Sequence, residues 1–297
     1  MDYQNCKLCP RECGADRNHG ELGFCGAAKT IRLARAALHH WEEPCISGTN
    51  GSGTVFFSCC NLGCTFCQNY TVSRGKIGRV ISRERLTEIF QELQSQGAHN
   101  LNLVTPTHYL PDIIPALKMA KKEGFNLPVI YNSGGYESLD TLEYLHDVVD
   151  VFLPDLKFAS VATGKALANA PDYFKVATPA IQRMAELAGS CEIDNNGLIR
   201  RGLIVRHLAL PGKVEESKTI LKWIKDELPE WVMVSLMGQY LPAGNGAGDP
   251  QLGRCLKPNE YDSVVEYLFE LGLENGYVQE LTAASAKYIP VFDLTGV

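Results

Sequence analysis

The sequence predicts an α/β fold: an open, partial (β/α)6 barrel of the TIM type behind a cysteine-rich N-terminal extension. Three observations predict it. From about residue 54, short β-branched or apolar runs alternate with amphipathic helical patterns. Such βαβα repetition gives parallel strands joined by right-handed helical crossovers. Six such units are countable, fewer than a closed barrel of this kind needs.

Each element follows from local pattern. Thr54–Ser58 reads as the first strand. Ser82 is a helix N-cap, with Leu86, Ile89, Phe90 and Leu93 on one helical face behind it. Leu101–Val104 is the second strand, and the helix from Asp112 to Glu123 ends where Gly124 supplies the C′ glycine. Pro128–Tyr131 and Val149–Leu153 are the third and fourth strands, separated by a helix from Leu139 to about His146. The fifth, Leu203–Leu208, precedes a helix from Glu215 to Leu228. The sixth, Trp231–Leu236, precedes one from Glu260 to Leu271. Residues 1–50 do not join the alternation and read as a separate extension; residues 51–297 form the barrel.

Bulk properties narrow the function classes. A hydrophobic content of 45% with 21% charged residues is ordinary globular composition. The net charge of −6 argues against nucleic acid as the main partner, since phosphate binding needs concentrated Lys and Arg. The segment Met1 to Cys13 is polar, without the apolar core of a secretion signal. No apolar run reaches the ~20 residues of a membrane helix, so a cytoplasmic protein without membrane contact is expected. Eleven cysteines, an odd number with nine before residue 70, suit metal ligation or reactivity better than a disulfide framework.

Immediately after the first strand comes Cys59-Cys-Asn-Leu-Gly-Cys-Thr-Phe-Cys-Gln-Asn-Tyr70. Within it, Cys60, Cys64 and Cys67 place three thiols on one short loop. A [4Fe–4S] cubane is normally held by four thiolates, so three ligands leave one iron open to bind something else. A zinc loop with a distant fourth ligand is the competing reading. Functional groups of parallel barrels gather at the C-terminal ends of strands. There the sequence offers Asp155 and Lys157 after the fourth strand, Asn132-Ser-Gly-Gly-Tyr-Glu137 after the third, and Ser235-Leu-Met-Gly-Gln-Tyr240 at the sixth. His207 on the fifth strand is a further candidate, its alternative being simple packing.

The Cys-x3-Cys-x2-Cys loop, with Phe66 before its last cysteine, resembles the radical S-adenosylmethionine superfamily. The segments Gly51 to Tyr70, Thr105 to Tyr109, Asn132 to Glu137 and Ser235 to Tyr240 resemble uncharacterised homologues of pyruvate formate-lyase-activating enzyme. The resemblance implies that the open iron chelates the methionine part of S-adenosylmethionine. Reduction then gives a 5′-deoxyadenosyl radical that abstracts hydrogen. It also implies Phe66 near the adenine and Asp155 and Lys157 at the methionine ammonium and carboxylate, with Asn132 and His207 among the cofactor-binding residues. One departure stands out: where most of the superfamily carries a Gly-Gly-Glu-like motif, this chain reads Thr105-Pro-Thr-His-Tyr109. Thr105, Thr107 and backbone carbonyls are the expected substitutes.

Cys6, Cys9, Cys13 and Cys25 form a second group in a turn-rich segment too small for a core, for which a metal knot is an economical solution. Zinc is the first choice, and a second iron–sulfur cluster the next. His39, His40, Glu42 and Glu43 either line the active-site mouth or belong to a solvated loop. Two enzymatic readings follow. One is an activase that generates a glycyl radical in a partner protein, supplied with electrons by a flavodoxin or ferredoxin. The other is an enzyme acting on a small molecule or a peptide. A non-catalytic metal-binding protein is the third, and the intact triplet with Asp155 and Lys157 speaks against it.

Overall fold

The computed structural model describes residues 1–248 and 250–297. Its strands are β1 (Ile31–His39), β2 (Ser52–Phe57), β3 (Arg79–Ile81), β4 (Leu101–Val104), β5 (Val129–Ser133), β6 (Val151–Pro154), β7 (Glu192–Ile193), β8 (Ile199–Leu208), β9 (Met233–Met237) and β10 (Gly276–Val278). The main helices are α1 (Arg83–Ser95), α2 (Leu110–Lys122), α3 (Val161–Ala168), α4 (Tyr173–Ala188), α5 (Val214–Glu227) and α6 (Pro258–Glu270).

The sheet runs β10-β9-β8-β6-β5-β4-β2-β1-β3, with β7 paired to β8 alone. From β2 to β10 every neighbouring pair on that path is parallel. This is the predicted open α/β barrel, lengthened by the short strand β10. The inner parallel strands β2, β4, β5, β6 and β9 are buried on both faces nearly throughout, as crossover helices require. Local signals place the helices as expected. The Ser82 hydroxyl accepts from the Arg85 amide, and α1 buries Leu86, Ile89, Phe90 and Leu93. Gly124 follows α2 at φ +92°, a conformation open to glycine at little cost.

Three stretches depart from the sequence reading. β1, inside the residues read as a separate extension, pairs antiparallel with β2 over Leu33 to His39, so the sheet begins well before residue 50. Its run is interrupted by Arg32 and Arg35, whose guanidiniums reach loop carbonyls and Asp293. The crossover between β6 and β8, unassigned in the sequence, is carried by α3 and α4. Gly164 and Pro179 inside them act as breaker signals, yet α4 buries Ala177, Ala180, Ile181, Met184 and Ala185 against the sheet. The helix expected from Leu139 is only a turn of α-helix followed by a turn of 3-10 helix ending at Leu145.

The N-terminal segment is held by polar contacts. Buried Arg17 donates to the carbonyls of His108 (2.7 Å) and Ala28 (2.6 Å) and lies over the Tyr3 ring. Among the described residues no helix is long and apolar enough to cross a membrane.

Candidate active site

The cleft lies at the C-terminal ends of the parallel strands. Its walls include Phe56 of β2, the loop from Cys59 to Asn69, Thr105, Asn132, Asp155 with Lys157, and Arg206 of β8. Cys60, Cys64, Cys67 and Phe66 all line it, so the structure gathers the triplet and the strand-end residues around one space.

The cysteine loop is fixed from several sides. Cys59 turns the chain out of β2 at φ +81°, and its amide donates to the Val72 carbonyl at 2.9 Å. The Asn61 amide group donates to the Tyr136 carbonyl at 2.8 Å, and the Thr65 N–H to the Leu167 carbonyl at 2.8 Å. Arg11, from the N-terminal segment, donates to the Asn61 carbonyl at 3.0 Å and to that of Ala168 at 2.9 Å. The N-terminal segment thus braces the loop from behind. Burial pushes the Cys64 thiol up to about 12, so as a free thiol it holds its proton. Iron would reverse that, as cations do for coordinating thiols.

The donor set fits a cubane held through three irons. Three thiols of one loop face one cleft, and the Leu62 N–H points at Cys60 Sγ at 3.4 Å. Among the described residues no three His, Cys, Asp or Glu side chains converge as ligands of a single metal ion. A cubane places each thiolate on a different iron and needs no such convergence. A mononuclear zinc site does need it. The thiols of Cys6, Cys9, Cys13 and Cys25 do gather, Cys13 hydrogen-bonded to Cys6, and Cys9 and Cys25 within electrostatic reach of Cys6, but without the convergence of a single-ion zinc site.

Opposite the loop sits a charged set that the sequence showed only in part. Arg206 Nε donates to Asp155 Oδ1 at 2.9 Å, Nη2 to Asn132 Oδ1 at 2.6 Å and Nη1 to Glu42 Oε2 at 3.2 Å. Lys157 Nζ donates to the other Asp155 oxygen. Burial pushes the Asp155 carboxyl up, but Arg206 and Lys157 overrule it and hold it below the ordinary range. Burial alone would lower the Lys157 ammonium; Asp155 holds it above its usual value instead. Glu42 and Glu43 lie in this buried set rather than in a solvated loop, and burial raises both despite Arg206. Three carboxyls face two cations, Arg206 and Lys157. Glu43, whose Oε2 has no partner, is the one least compensated.

His207 does not reach the cleft. Successive strand residues point to opposite faces, and Arg206 takes the inward one. His207 is buried against α5, with Nδ1 against the Leu156 carbonyl at 2.7 Å and Nε2 against Ser217 Oγ at 2.8 Å; burial lowers it to about 4. Its assignment to the cofactor is corrected to packing. The substitutes for the Gly-Gly-Glu motif separate likewise. Thr105 lines the cleft at φ +57°, its N–H donating to the Asn132 carbonyl at 2.8 Å. Thr107 instead turns inward to the Tyr131 hydroxyl (3.0 Å) and the Glu137 carboxyl (2.9 Å). Arg206 was missed because both faces of a buried parallel strand are apolar, which hides its parity; the neighbouring Arg206-His207 pair was the only signal.

The Radical SAM superfamily model matches residues 54–224. An uncharacterised protein of Methanocaldococcus jannaschii is 29% identical over 283 residues, covering 92% of this chain and 76% of that one. Among solved structures, Streptococcus suis SuiB bound to precursor peptide SuiA superposes with a TM-score of 0.52 at 13% identity. The match covers 76% of this chain and 48% of SuiB, so the chain spans about half of that protein. A domain of pyruvate-formate lyase-activating enzyme from Bacteroides vulgatus gives a TM-score of 0.42 at 13% identity, covering 59% of this chain and 94% of the domain.

Proposed function

From the premise that the chain belongs to the radical S-adenosylmethionine superfamily, we propose that it is an activase that abstracts hydrogen from a glycine Cα of a partner protein. The observation that carries the cofactor chemistry is the facing of Cys60, Cys64 and Cys67 by Asp155, Lys157 and Arg206 across one cleft. Cys60, Cys64 and Cys67 would hold a [4Fe–4S] cluster. When bound and reduced, the cluster supplies the electron that splits the sulfonium of S-adenosylmethionine. The chain's own groups bind and orient. Asp155 presents a carboxylate to the methionine ammonium, and Lys157 an ammonium to its carboxylate. Arg206, itself held by Asn132, fixes Asp155 so that it meets the ligand already oriented. Phe66, packed edge-on against Phe158 with ring centres 6.0 Å apart, offers an apolar wall to the adenine. The apolar lining from Phe56, Val72 and Val104 limits the water that would quench a carbon radical.

An external one-electron donor of the flavodoxin or ferredoxin kind fits the exposed cations Arg74 and Lys76 beside the cysteine loop. Anaerobic reconstitution with iron and sulfide, then reduction with S-adenosylmethionine, is expected to yield 5′-deoxyadenosine. A fully loaded protein that yields none overturns the cofactor reading. Incubation with candidate glycyl-radical proteins is expected to give a glycyl doublet by electron paramagnetic resonance. Turnover of the cofactor without that doublet shifts the reading to a small-molecule or peptide-modifying enzyme.

A further inference from the structure

Ahead of β1 lies a second set of thiols that the radical chemistry does not use. Apart from the single 3-10 turn Arg17–His19, residues 1–30 hold no helix or strand, yet turns bring Cys6, Cys9, Cys13 and Cys25 together. The Cys6 N–H donates to the Ala15 carbonyl and the Gly14 N–H to the Cys6 carbonyl, both at 3.1 Å. A Cβ built on Gly23 would stand 3.2 Å from Cys25 Sγ and 3.7 Å from Cys13 Sγ, so these two sulfurs flank one point. All four cysteines are free thiols.

The turns repeat one design. Cys9, Cys13 and Cys25 each accept the backbone N–H of the residue two places on, that of Arg11, Ala15 and Ala27, and Cys13 accepts that of Phe24 as well. Glycine follows Cys13 and Cys25 directly, at φ +67° and +83°. A Cβ on Gly26 would meet nothing within 4 Å, so glycine is needed there for the backbone angle and not for space. Amides turned onto sulfur favour its charged form, and the thiolate is the form that binds metal.

A buried cation beside these thiols lacks an anion. Arg17 is 1% exposed, its Nη1 lies 3.9 Å from Cys6 Sγ, and its Nε has no partner. Its other contacts are the carbonyls of His108 and Ala28 and the rings of Tyr3 and Tyr109. Asp112, which holds the Tyr3 hydroxyl, pairs with Arg83 instead. An uncompensated buried guanidinium is costly, and negative charge at the neighbouring sulfurs would compensate it.

Two metal groups suit four thiolates, and spacing separates them. One zinc at ~2.3 Å from each sulfur draws the sulfurs to within about 4 Å of one another. Among the described residues no three ligand side chains converge in that way, those of Cys60, Cys64 and Cys67 included. A cubane, with a different iron under each thiolate, spaces them more widely.

We propose that Cys6, Cys9, Cys13 and Cys25 hold a second [4Fe–4S] cluster, complete in its four thiolates, whose negative charge faces Arg17. With no iron left open, it would bind no S-adenosylmethionine. Its seat lies close behind the first, since the Cys25 thiol is within electrostatic reach of Cys59, the neighbour of Cys60. The assignment stands on these residues alone and does not rest on the radical reading.

The test uses the full-length chain, reconstituted anaerobically with iron and sulfide. The parent should hold about eight irons and eight sulfides, two cubanes of four each. C60A/C64A/C67A should keep about four of each, and adding C25S should bring both near zero. After reduction, S-adenosylmethionine should change the electron paramagnetic resonance signal of the parent and leave that of the triple variant as it was. A parent that saturates at about four irons overturns the proposal, and that count needs no variant to fold. A triple variant that takes up one zinc and no sulfide overturns it as well. If the triple variant keeps its irons while the parent never forms 5′-deoxyadenosine, the second cluster stands and the cofactor reading fails.

Discussion

Replacing Arg206 with methionine removes the guanidinium and keeps much of the stem. Three contacts are lost, to Asp155, Asn132 and Glu42. Asp155 keeps Lys157, but Glu42 keeps only the Asn102 amide at 3.1 Å. One carboxylate is therefore stranded, and removing one partner of a buried pair costs about 3–5 kcal/mol. Glu42 has a partial escape, because burial already raises its carboxyl and losing Arg206 raises it further. By taking up a proton it brings the expected loss to about 3 kcal/mol at neutral pH. The sign follows from linkage: a carboxyl raised in the fold is penalised above its ordinary range, and the penalty fades as pH falls towards it. The double variant R206M/E42Q removes the Glu42 charge and should recover about 1–2 kcal/mol of the loss. Anaerobic urea unfolding at pH 7 and pH 5 measures all four corners of the cycle. A loss below about 1 kcal/mol for R206M, or an E42Q effect that adds to the loss, would refute the account of a shared buried network.

Other groups give sharper yes-or-no outcomes. Burial raises Glu137 to about 7 from an ordinary 4.5, so its ionisation should cost about 3 kcal/mol, setting in as pH rises from 4.5 through 7. E137Q keeps an acceptor for one of Thr107 and Tyr131 and turns an amide donor to the other's hydroxyl oxygen, and it should flatten that part of the stability profile; an unchanged slope sinks the assignment. C64A should lose the iron of its own loop and 5′-deoxyadenosine formation together, read by visible absorption and product chromatography. C9A should retain both if the N-terminal segment touches that loop only as a brace, and parallel loss of that iron from C9A would contradict this.

Much of the site was legible because its chemistry is carried by residue types that rarely cluster by accident. The thiols of Cys60, Cys64 and Cys67, and Asp155 two residues before Lys157, declare themselves at strand ends. Arg206 and His207 show where that legibility stops. A strand buried on both faces gives no alternation, so sequence alone does not say which of two neighbours points inward. Glu42 was ambiguous for another reason: its partner lies 164 residues away, and nothing local distinguishes a solvated acid from one that meets a buried guanidinium. The crossover helix α4 was hidden by Pro179, tolerated because tertiary burial of an alanine-rich face outweighs the hydrogen bond lost at one turn.

The bridge from Glu42 to Arg206 also bears on how the protein is made. At translation rates of about 5–20 residues per second, the 164 residues between them take on the order of ten to thirty seconds to emerge. During that interval the cysteine loop is already outside the ribosome while the cations that will face it are not. A nascent chain therefore carries exposed thiols before it carries a cofactor site, and iron reaching it early would meet a loop without its opposing wall. Maturation is safest as a late step, taken once both halves of the sheet have closed around the same acid.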